Sequence, residues 1–200
     1  MAACAPDISY SRIMNFTLFE TAIGSCGIVW SAGGIAGVGL PERSEDATRN
    51  RLLRRFPMAR EAAPPAEVQR VIADIVGLLS GERRDLNYAT IDIAAAPEFH
   101  RRVYEVARRI PAGATLSYGE LAERLGDRNL ARDVADALSQ NPCPIIVPCH
   151  RILAAGGKPG GFTAPGGVAI KLRLLTIEGA QPEGPMLFDR LPLAAARPRR

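Results

Sequence analysis

The chain has 200 residues, 47% of them hydrophobic and 23% charged, with a formal net charge of +4 at pH 7. This is the composition of a globular protein with room for one large domain or two small ones, and it excludes a mainly disordered chain. The mild positive charge is compatible with a nucleic-acid partner but does not by itself indicate one.

The first half of the chain has the pattern of a small sheet with helices. Residues 14–40 contain short apolar runs separated by glycines, which predicts two or three antiparallel strands. Within them, residues 31–34 (Ser-Ala-Gly-Gly) have the composition of a hairpin turn. Residues 45–57 and 65–80 are predicted to be helices, the second because its apolar residues recur at helical spacing. A further strand is expected from Leu86 to Ile93.

The second half is predicted to be mainly helical. Phe99 to Ile110 carries an apolar stripe at helical spacing. Ser117 and Glu120 form a capping box, which predicts a short helix through Leu125. Residues 126–129 have the composition of a turn, and Leu130 to Gln140 of another helix. This order of helix, four-residue turn and helix outlines a helix-turn-helix.

The chain continues with a glycine-rich loop over residues 154–167 and a last helix, Val168 to Ile177. We therefore expect an α/β domain with a small antiparallel sheet and helices over residues 1–93. A mainly α, winged-helix-like domain that carries the helix-turn-helix is expected over residues 94–182. Residues 183–200, rich in proline and arginine, are predicted to be a loose tail.

The four cysteines indicate a reducing compartment rather than a disulfide framework. They show no C-x-x-C pair, and they are Cys4, Cys26, Cys143 and Cys149. No segment resembles a signal peptide, and no apolar run approaches the roughly 20 residues that span a bilayer. With only two histidines, a metal site is not expected, and no cofactor is indicated. These observations favour a cytoplasmic protein without a membrane partner.

Cys149 is the candidate reactive residue. It follows the apolar run Pro144 to Val147, where a thiol can be shielded from water yet reached from a pocket. A free thiol has a pKa near 8.5 that burial raises, so a nucleophilic cysteine needs a base. His150 is adjacent, but neighbouring side chains point in different directions, so a bridging water would have to link the two. Glu178, a lone acid at the end of an apolar helix, is the candidate to orient the imidazole. By itself this pair does not distinguish a nucleophile from an inert core thiol.

The segment from Asn141 to Arg151 resembles the active-site signature of the O6-alkylguanine-DNA alkyltransferases, also called methylated-DNA–protein-cysteine methyltransferases. The resemblance covers roughly Phe99 to Gly179. It includes the Ser117–Glu120 segment, Ala131-Arg132 and the glycine-rich loop. The first half of the chain fits more loosely, through residues 21–24 followed by strands.

The resemblance implies direct DNA repair in a single turnover. A flipped O6-alkylguanine, or O4-alkylthymine, would give its alkyl group irreversibly to Cys149. His150 would take the thiol proton through water, and Glu178 would hold His150. Asn141 would brace the turn, and Tyr118 would donate its hydroxyl to the leaving guanine.

The resemblance also implies a double-stranded DNA partner that contains O6-alkylguanine, and a monomer located in the cytoplasm with the nucleoid. The helix that follows the turn would lie in the minor groove, with Arg132 filling the gap left by the flipped base and Ala131 and Ala135 beside it. The substrate pocket would be lined by Leu138, Ile152, Phe162 and Thr163. Arg151 would tie the two domains together.

Three positions and a short insertion depart from the family pattern. Asp133 and Asp136 stand where small uncharged residues are usual, and Asp136 shares the outer helix face with Arg132. A carboxylate near the phosphates predicts weaker or more salt-sensitive duplex binding. The glycine-rich loop has Phe162 in place of tyrosine and a short insertion at Ala164-Pro165, which bears on the contacts of the pocket.

Two other functions fit parts of the pattern. A non-enzymatic lesion sensor on the same scaffold would lack the acceptor, whereas Cys149 is present. A cysteine hydrolase would need a histidine distant in sequence, and His100 is the only one available.

Arg132 could also be an ordinary solvated arginine that pairs with Asp136 four residues on.

Overall fold

The structure is a computed structural model that describes residues 13–180. Cys4 and the tail expected over residues 183–200 therefore lie outside the described residues. Within residues 13–180, no helix is both long enough and apolar enough to cross a membrane.

The first half contains a four-stranded sheet in the order β3-β2-β1-β4. Its strands are β1 (Asn15–Thr21), β2 (Gly24–Ser31), β3 (Gly34–Gly39) and the two-residue β4 (Arg60–Glu61). The first three pair antiparallel, as the sequence predicts, and β4 adds a short parallel pair to β1. The turn between β2 and β3 has two residues, and Gly34 has a φ of +114° there. A Cβ at that glycine would lie 2.5 Å from the carbonyl oxygen of Thr90, so the turn requires glycine.

Two helices, α1 (Glu45–Arg55) and α2 (Ala66–Leu79), complete the first half close to the predicted bounds. Ser44 caps α1 by accepting a hydrogen bond from the amide of Ala47 at 3.2 Å. The apolar face of α2 is buried in the core, as its periodicity predicts.

The prediction of a strand from Leu86 to Ile93 is wrong. Only Ile91 forms an isolated bridge, to Ile35, and the segment before it is an irregular turn. The Arg108 guanidinium satisfies the carbonyls there instead of a neighbouring strand: it donates to Leu86, Asn87 and Ala89 at 2.7–3.0 Å. Hydrogen bonds from a side chain distant in sequence thus replace the backbone hydrogen bonds between strands that the local pattern predicts.

The second half is helical, as predicted. Its helices are α3 (Glu98–Arg108), α4 (Tyr118–Arg124), α5 (Ala131–Ser139) and α6 (Gly167–Ile177). The capping box at α4 is confirmed, since Ser117 and Glu120 each bond the other's backbone amide. A 3-10 turn, Arg128–Leu130, leads into α5, so the helix-turn-helix is present with a slightly later start of its second helix. A small parallel pair joins β5 (Leu116–Ser117) to β6 (Ile152–Leu153).

The two halves share one hydrophobic core, which contains residues of the sheet, of α2 and of α3 to α6. Polar contacts also cross between them. The amide of Val38 donates to the carbonyl of Pro142 at 3.0 Å, and Arg173 donates to the carbonyl of Ala22 at 2.8 Å. The loop that follows α5 is thereby fixed against the edge of the sheet.

Candidate active site

Asn141 fixes the loop that carries Cys149. Its side-chain amide donates to the carbonyl of Val147 at 2.8 Å and to Cys149 Sγ at 3.2 Å, while its Oδ1 accepts from the amide of Cys143 at 2.9 Å. Ile145 in this loop has a φ of 75°, which is strained for a β-branched residue. Such strain costs on the order of 1–3 kcal/mol and persists where the surroundings impose it. The loop is therefore held in one shape, with the sulfur at a defined position.

Cys149 begins a 3-10 turn, Cys149–Arg151, and its side chain is half-buried. Burial raises the pKa of the Cys149 thiol, while the hydrogen bond from Asn141 and the positive charge of Lys171 lower it. The thiol is therefore the resting form, and its reaction as a nucleophile requires a proton acceptor.

His150 is fully buried, and one nitrogen of its ring faces Glu178. Its Nε2 lies 2.9 Å from Glu178 Oε1. Burial alone would raise the pKa of Glu178, but the hydrogen bonds from His150 and Arg151 outweigh it and hold that pKa at about 2. Burial also lowers the pKa of His150, despite the hydrogen bond to Glu178, which raises it. The resting pair is a neutral imidazole and a carboxylate.

This pairing decides which nitrogen of His150 can act as a base. A carboxylate only accepts hydrogen bonds, so Nε2 carries the hydrogen and Nδ1 keeps its lone pair. Nδ1 is buried and has no hydrogen-bond partner among the described residues. The imidazole therefore has an unoccupied basic nitrogen on the side away from Glu178.

The hydrogen bonds of Arg151 brace Glu178, whereas its interdomain role stays a prediction: it lines a cavity together with first-half residues such as Leu78 and Leu86. Its guanidinium donates to Glu178 twice, at 2.8 Å each, and to the carbonyl of Ile110. Those partners lie in the second half of the chain. Hydrogen bonds between the halves are made by backbone groups of the Asn141–Cys149 loop and by Arg108 and Arg173.

Two cavities meet at Cys149. The larger has a volume of about 560 Å³, and its lining includes Cys149, Tyr118, Leu138, Phe162, Thr163, Ala135 and Asp136. The smaller, of about 310 Å³, shares Leu138, Cys149, Phe162 and Thr163 with the larger and extends to α1 and β3 of the first half. The structure thus brings together three of the four predicted pocket residues around the sulfur.

Ile152 is the fourth predicted pocket residue, and it lines neither cavity. Its side chain is fully buried in the core, and its carbonyl accepts a hydrogen bond from Lys171. Thr163, in contrast, is exposed at the cavity, where its hydroxyl donates to the carbonyl of Ser139 at 3.0 Å.

The outer face of α5 is exposed beside the larger cavity. Arg132 is exposed, Ala131 and Ala135 are half-buried, and no ion pair forms between Arg132 and Asp136. The guanidinium is therefore available to an external partner. Asp136 is exposed and lines the cavity, so a carboxylate stands at its entrance.

Lys171 is the residue at this site that the sequence analysis missed. It is fully buried on α6, near the rings of Tyr118 and Phe162 at 5.9 and 6.0 Å. One signal was available: Lys158 and Lys171 are the only lysines in an arginine-rich chain, and Lys171 stands in an otherwise apolar run. Among residues 13–180, no group of three or more His, Cys, Asp or Glu side chains could hold a metal ion.

His100 packs edge-on against the ring of Tyr104, with centroids 6.2 Å apart. It lines neither cavity at Cys149, so the arrangement that a cysteine hydrolase would need is not formed.

Residues 98–180 match the family described as the 6-O-methylguanine DNA methyltransferase, DNA binding domain. The chain is 34% identical over 158 residues to a methylated-DNA–protein-cysteine methyltransferase of Methanothermobacter thermautotrophicus, covering 79% of this chain and 81% of that protein. It is 45% identical over 93 residues to the protein of that name from Mycolicibacterium paratuberculosis, covering 46% of this chain and 55% of the relative.

A crystal structure of Mycobacterium tuberculosis OGT in complex with DNA has a similar fold. Its TM-score is 0.65 at 26% sequence identity, over 82% of this chain and 92% of that one. The similarity therefore extends beyond the segment around Cys149 to the first half of the chain.

Proposed function

This chain belongs to the methylated-DNA–protein-cysteine methyltransferase family, and on that premise we propose that it repairs DNA by moving the alkyl group of O6-alkylguanine irreversibly to Cys149. The observation that carries the proposal is the position of the Cys149 sulfur. It lies where two cavities meet, in a loop held by Asn141, next to a buried histidine that a carboxylate fixes in one tautomer.

The reaction begins with loss of the thiol proton. His150 Nδ1 has a free lone pair, and we assign the transfer to a bridging water between it and Cys149 Sγ. The imidazolium that forms is stabilised by the Glu178 carboxylate, which Arg151 holds in place through two hydrogen bonds. This arrangement supplies a base without placing a permanent charge on the imidazole.

The thiolate then displaces guanine from the alkyl carbon. A bond forms between Sγ and that carbon, the bond from carbon to O6 breaks, and its electron pair leaves with the base. Guanine takes up one proton, which balances the proton that Cys149 gave to His150. The product is a thioether. Its bond between Sγ and the alkyl carbon is stable in water, so the thiol is not regenerated and one protein molecule repairs one lesion.

Tyr118 lines the larger cavity and can donate its hydroxyl to the departing base. Burial raises the pKa of Tyr118, with a smaller contribution from Cys149, so the phenol keeps its hydrogen at neutral pH. A donor that faces developing negative charge stabilises the transition state. Asn141 supports the same step by holding the loop and the sulfur in position.

Double-stranded DNA is the proposed partner, bound through the exposed face of α5. Arg132 projects from that face without an ion pair to Asp136, and it can take the place of the flipped base in the duplex. Ala131 and Ala135, which have small side chains, allow close approach of the helix. Because the side chain of Ile152 is buried in the core, only its backbone carbonyl can contribute to the substrate pocket. Described residues of one chain supply every group that this reaction uses, which supports a monomer. The cysteine pattern of the sequence favours a reducing compartment, and therefore cytoplasmic DNA as the partner.

The test is to mix the protein with a duplex oligonucleotide that contains O6-methylguanine and to map the modified peptide by mass. We expect one methyl group on Cys149, in a stoichiometric reaction without turnover. Cys149→Ser should give no adduct, whereas Cys143→Ala, which alters the neighbouring buried cysteine, should still be methylated on Cys149. Binding of the lesion without an adduct would instead indicate a damage sensor, and continued turnover would indicate a different enzyme.

A further inference from the structure

Lys171 carries a charge in a place where charges are costly. The side chain is fully buried, and its Nζ donates to the carbonyl of Ile152. Among the described residues, no carboxylate forms an ion pair with it. A buried ammonium whose partners are a neutral carbonyl and two aromatic rings destabilises the fold, so its charged state favours a compensating negative charge nearby.

The groups that face Lys171 identify where such a charge can arise. Tyr118 on α4 lies beside the ammonium, and the Ile152 carbonyl that Lys171 bonds directly follows the 3-10 turn of Cys149 and His150. The charge of Lys171 disfavours an imidazolium at His150 and favours a thiolate at Cys149. Tyr118 keeps its hydrogen, so Cys149 is the group among them that becomes an anion during the reaction.

We propose that Lys171 is a positioning residue whose buried ammonium serves as the counter-charge of the Cys149 thiolate. Proton transfer from Cys149 to His150 turns two neutral groups into an anion and a cation. The imidazolium then has the carboxylate of Glu178, and the thiolate has the ammonium of Lys171. Each new charge is therefore met by an existing opposite charge, and no ion is left unpaired in the buried site.

The choice of lysine fits this role in a chain that otherwise uses arginine. An ammonium is a compact point charge, and it fits behind the rings of Tyr118 and Phe162, which line the cavity. Burial lowers the pKa of Lys171 to about 8, while Cys149 acts in the opposite direction. The proposal therefore predicts that the ionisation of Lys171 and that of Cys149 influence each other.

The test measures the reactivity of Cys149 in the absence of DNA. The full chain, with Cys4→Ser as background, is treated with iodoacetamide from pH 5 to pH 10, and the rate of Cys149 modification is followed by peptide mass. Cys26 and Cys143 should not interfere, because burial raises the pKa of each to about 12. Lys171→Met should lower the rate near pH 7 about tenfold and move the inflection upward, as a shift of one pKa unit would. Lys158→Met, which removes the exposed lysine, should leave the profile unchanged, and Lys171→Arg should restore part of the rate.

A second measurement leaves Lys171 in place. With only two lysines, labelled side-chain signals can be assigned by Lys158→Met and titrated by NMR. We expect the Lys171 midpoint to fall when Cys149 is replaced by serine or blocked by iodoacetamide. A folded Lys171→Met protein with the wild-type pH profile, or a Lys171 midpoint that ignores the state of Cys149, would overturn the proposal. The inference depends on the proposed function for its role in repair, but neither measurement requires an alkylated base. Normal thiol titration without methyl transfer would therefore refute the repair function alone.

Discussion

The two halves of this molecule treat polar side chains differently. Among the described residues of the first half, Thr48 is the only buried polar side chain, and it bonds local backbone groups near the start of α1. Its ion pairs, such as Arg49 with Glu61, are solvent-accessible. In the second half, Asn141, His150, Arg151 and Lys171 are all buried, and they lie around one cysteine.

This difference separates structural from reactive regions of the fold. Burying a polar group or a charge is costly unless it is fully paired, and an apolar residue would often be at least as stable there. The described part of the first half largely avoids that cost, since the Oγ atom of Ser25 is its one buried side-chain oxygen or nitrogen without a hydrogen-bond partner. The second half bears it at four positions around Cys149, and each of the four contacts or influences the loop, the histidine or the thiol. Four predictions test whether this contrast has energetic meaning.

The largest effect is expected at Arg151. Arg151→Met leaves the buried Glu178 without the guanidinium that it accepts from twice, and breaking such a pair costs about 3–5 kcal/mol. Urea denaturation should show this loss, together with slower methyl transfer. The matched change in the first half, Arg49→Met, removes solvent-accessible ion pairs to Glu45 and Glu61 and should cost less than about 1 kcal/mol. Similar losses for the two variants would contradict the contrast.

The acid dependence of stability should come largely from Glu178. Its folded pKa is about 2, below its ordinary value of 4.5, so its contribution is complete above pH 4.5 and is lost as the pH falls towards 2. This amounts to about 3 kcal/mol. Glu178→Gln should be less stable than wild type at pH 7 and should lose less stability on acidification, as urea midpoints from pH 2.5 to 7 would show. Glu61→Gln, an exposed acid in the first half, should follow the wild-type curve.

A smaller effect is expected at Asn141. Asn141→Ala removes the hydrogen bonds to the Val147 carbonyl and to Cys149 Sγ, and an unsatisfied buried carbonyl costs about 1–3 kcal/mol. Methyl transfer should slow because the loop no longer fixes the sulfur. The comparison variant is Asn87→Ala at an exposed position, which should keep both stability and transfer rate near wild type. Unimpaired transfer in Asn141→Ala would show that the loop holds its shape without the amide.

The smallest effect concerns Asp136, an exposed charge beside the cavity. Asp136→Ala should tighten duplex binding by no more than about fivefold at low salt, because an exposed charge contributes little and is screened. Fluorescence anisotropy with undamaged DNA at two salt concentrations measures this. Glu105→Ala removes an exposed acid from α3 and should change affinity less. Equal affinity before and after the change at Asp136 would show that this carboxylate does not oppose DNA.

Patterns within a few residues allowed most of the secondary structure to be predicted from the sequence. The capping box at Ser117, the apolar face of α2 and the two-residue hairpin turn depend on neighbours in sequence, so they could be recognised there. The strand expected from Leu86 to Ile93 failed because its carbonyls bond Arg108, a residue about twenty positions away. Secondary-structure propensity depends on neighbouring residues, so it does not take account of a hydrogen-bond donor so distant in sequence.

The sequence by itself determined the family, and it identified Cys149 as the candidate acceptor and His150, Glu178 and Asn141 as candidates to assist it. Tertiary structure decided how those groups are charged and paired. It turned Arg151 towards Glu178, left Nδ1 of His150 as the free nitrogen, and buried Lys171 behind two rings that line the cavity at Cys149. The physical reason is that pKa values and hydrogen-bond roles depend on desolvation and on opposite charges within a few ångströms. In this site those neighbours come from α6 and from the loop after α5, which lie far apart in sequence and meet only in the folded chain.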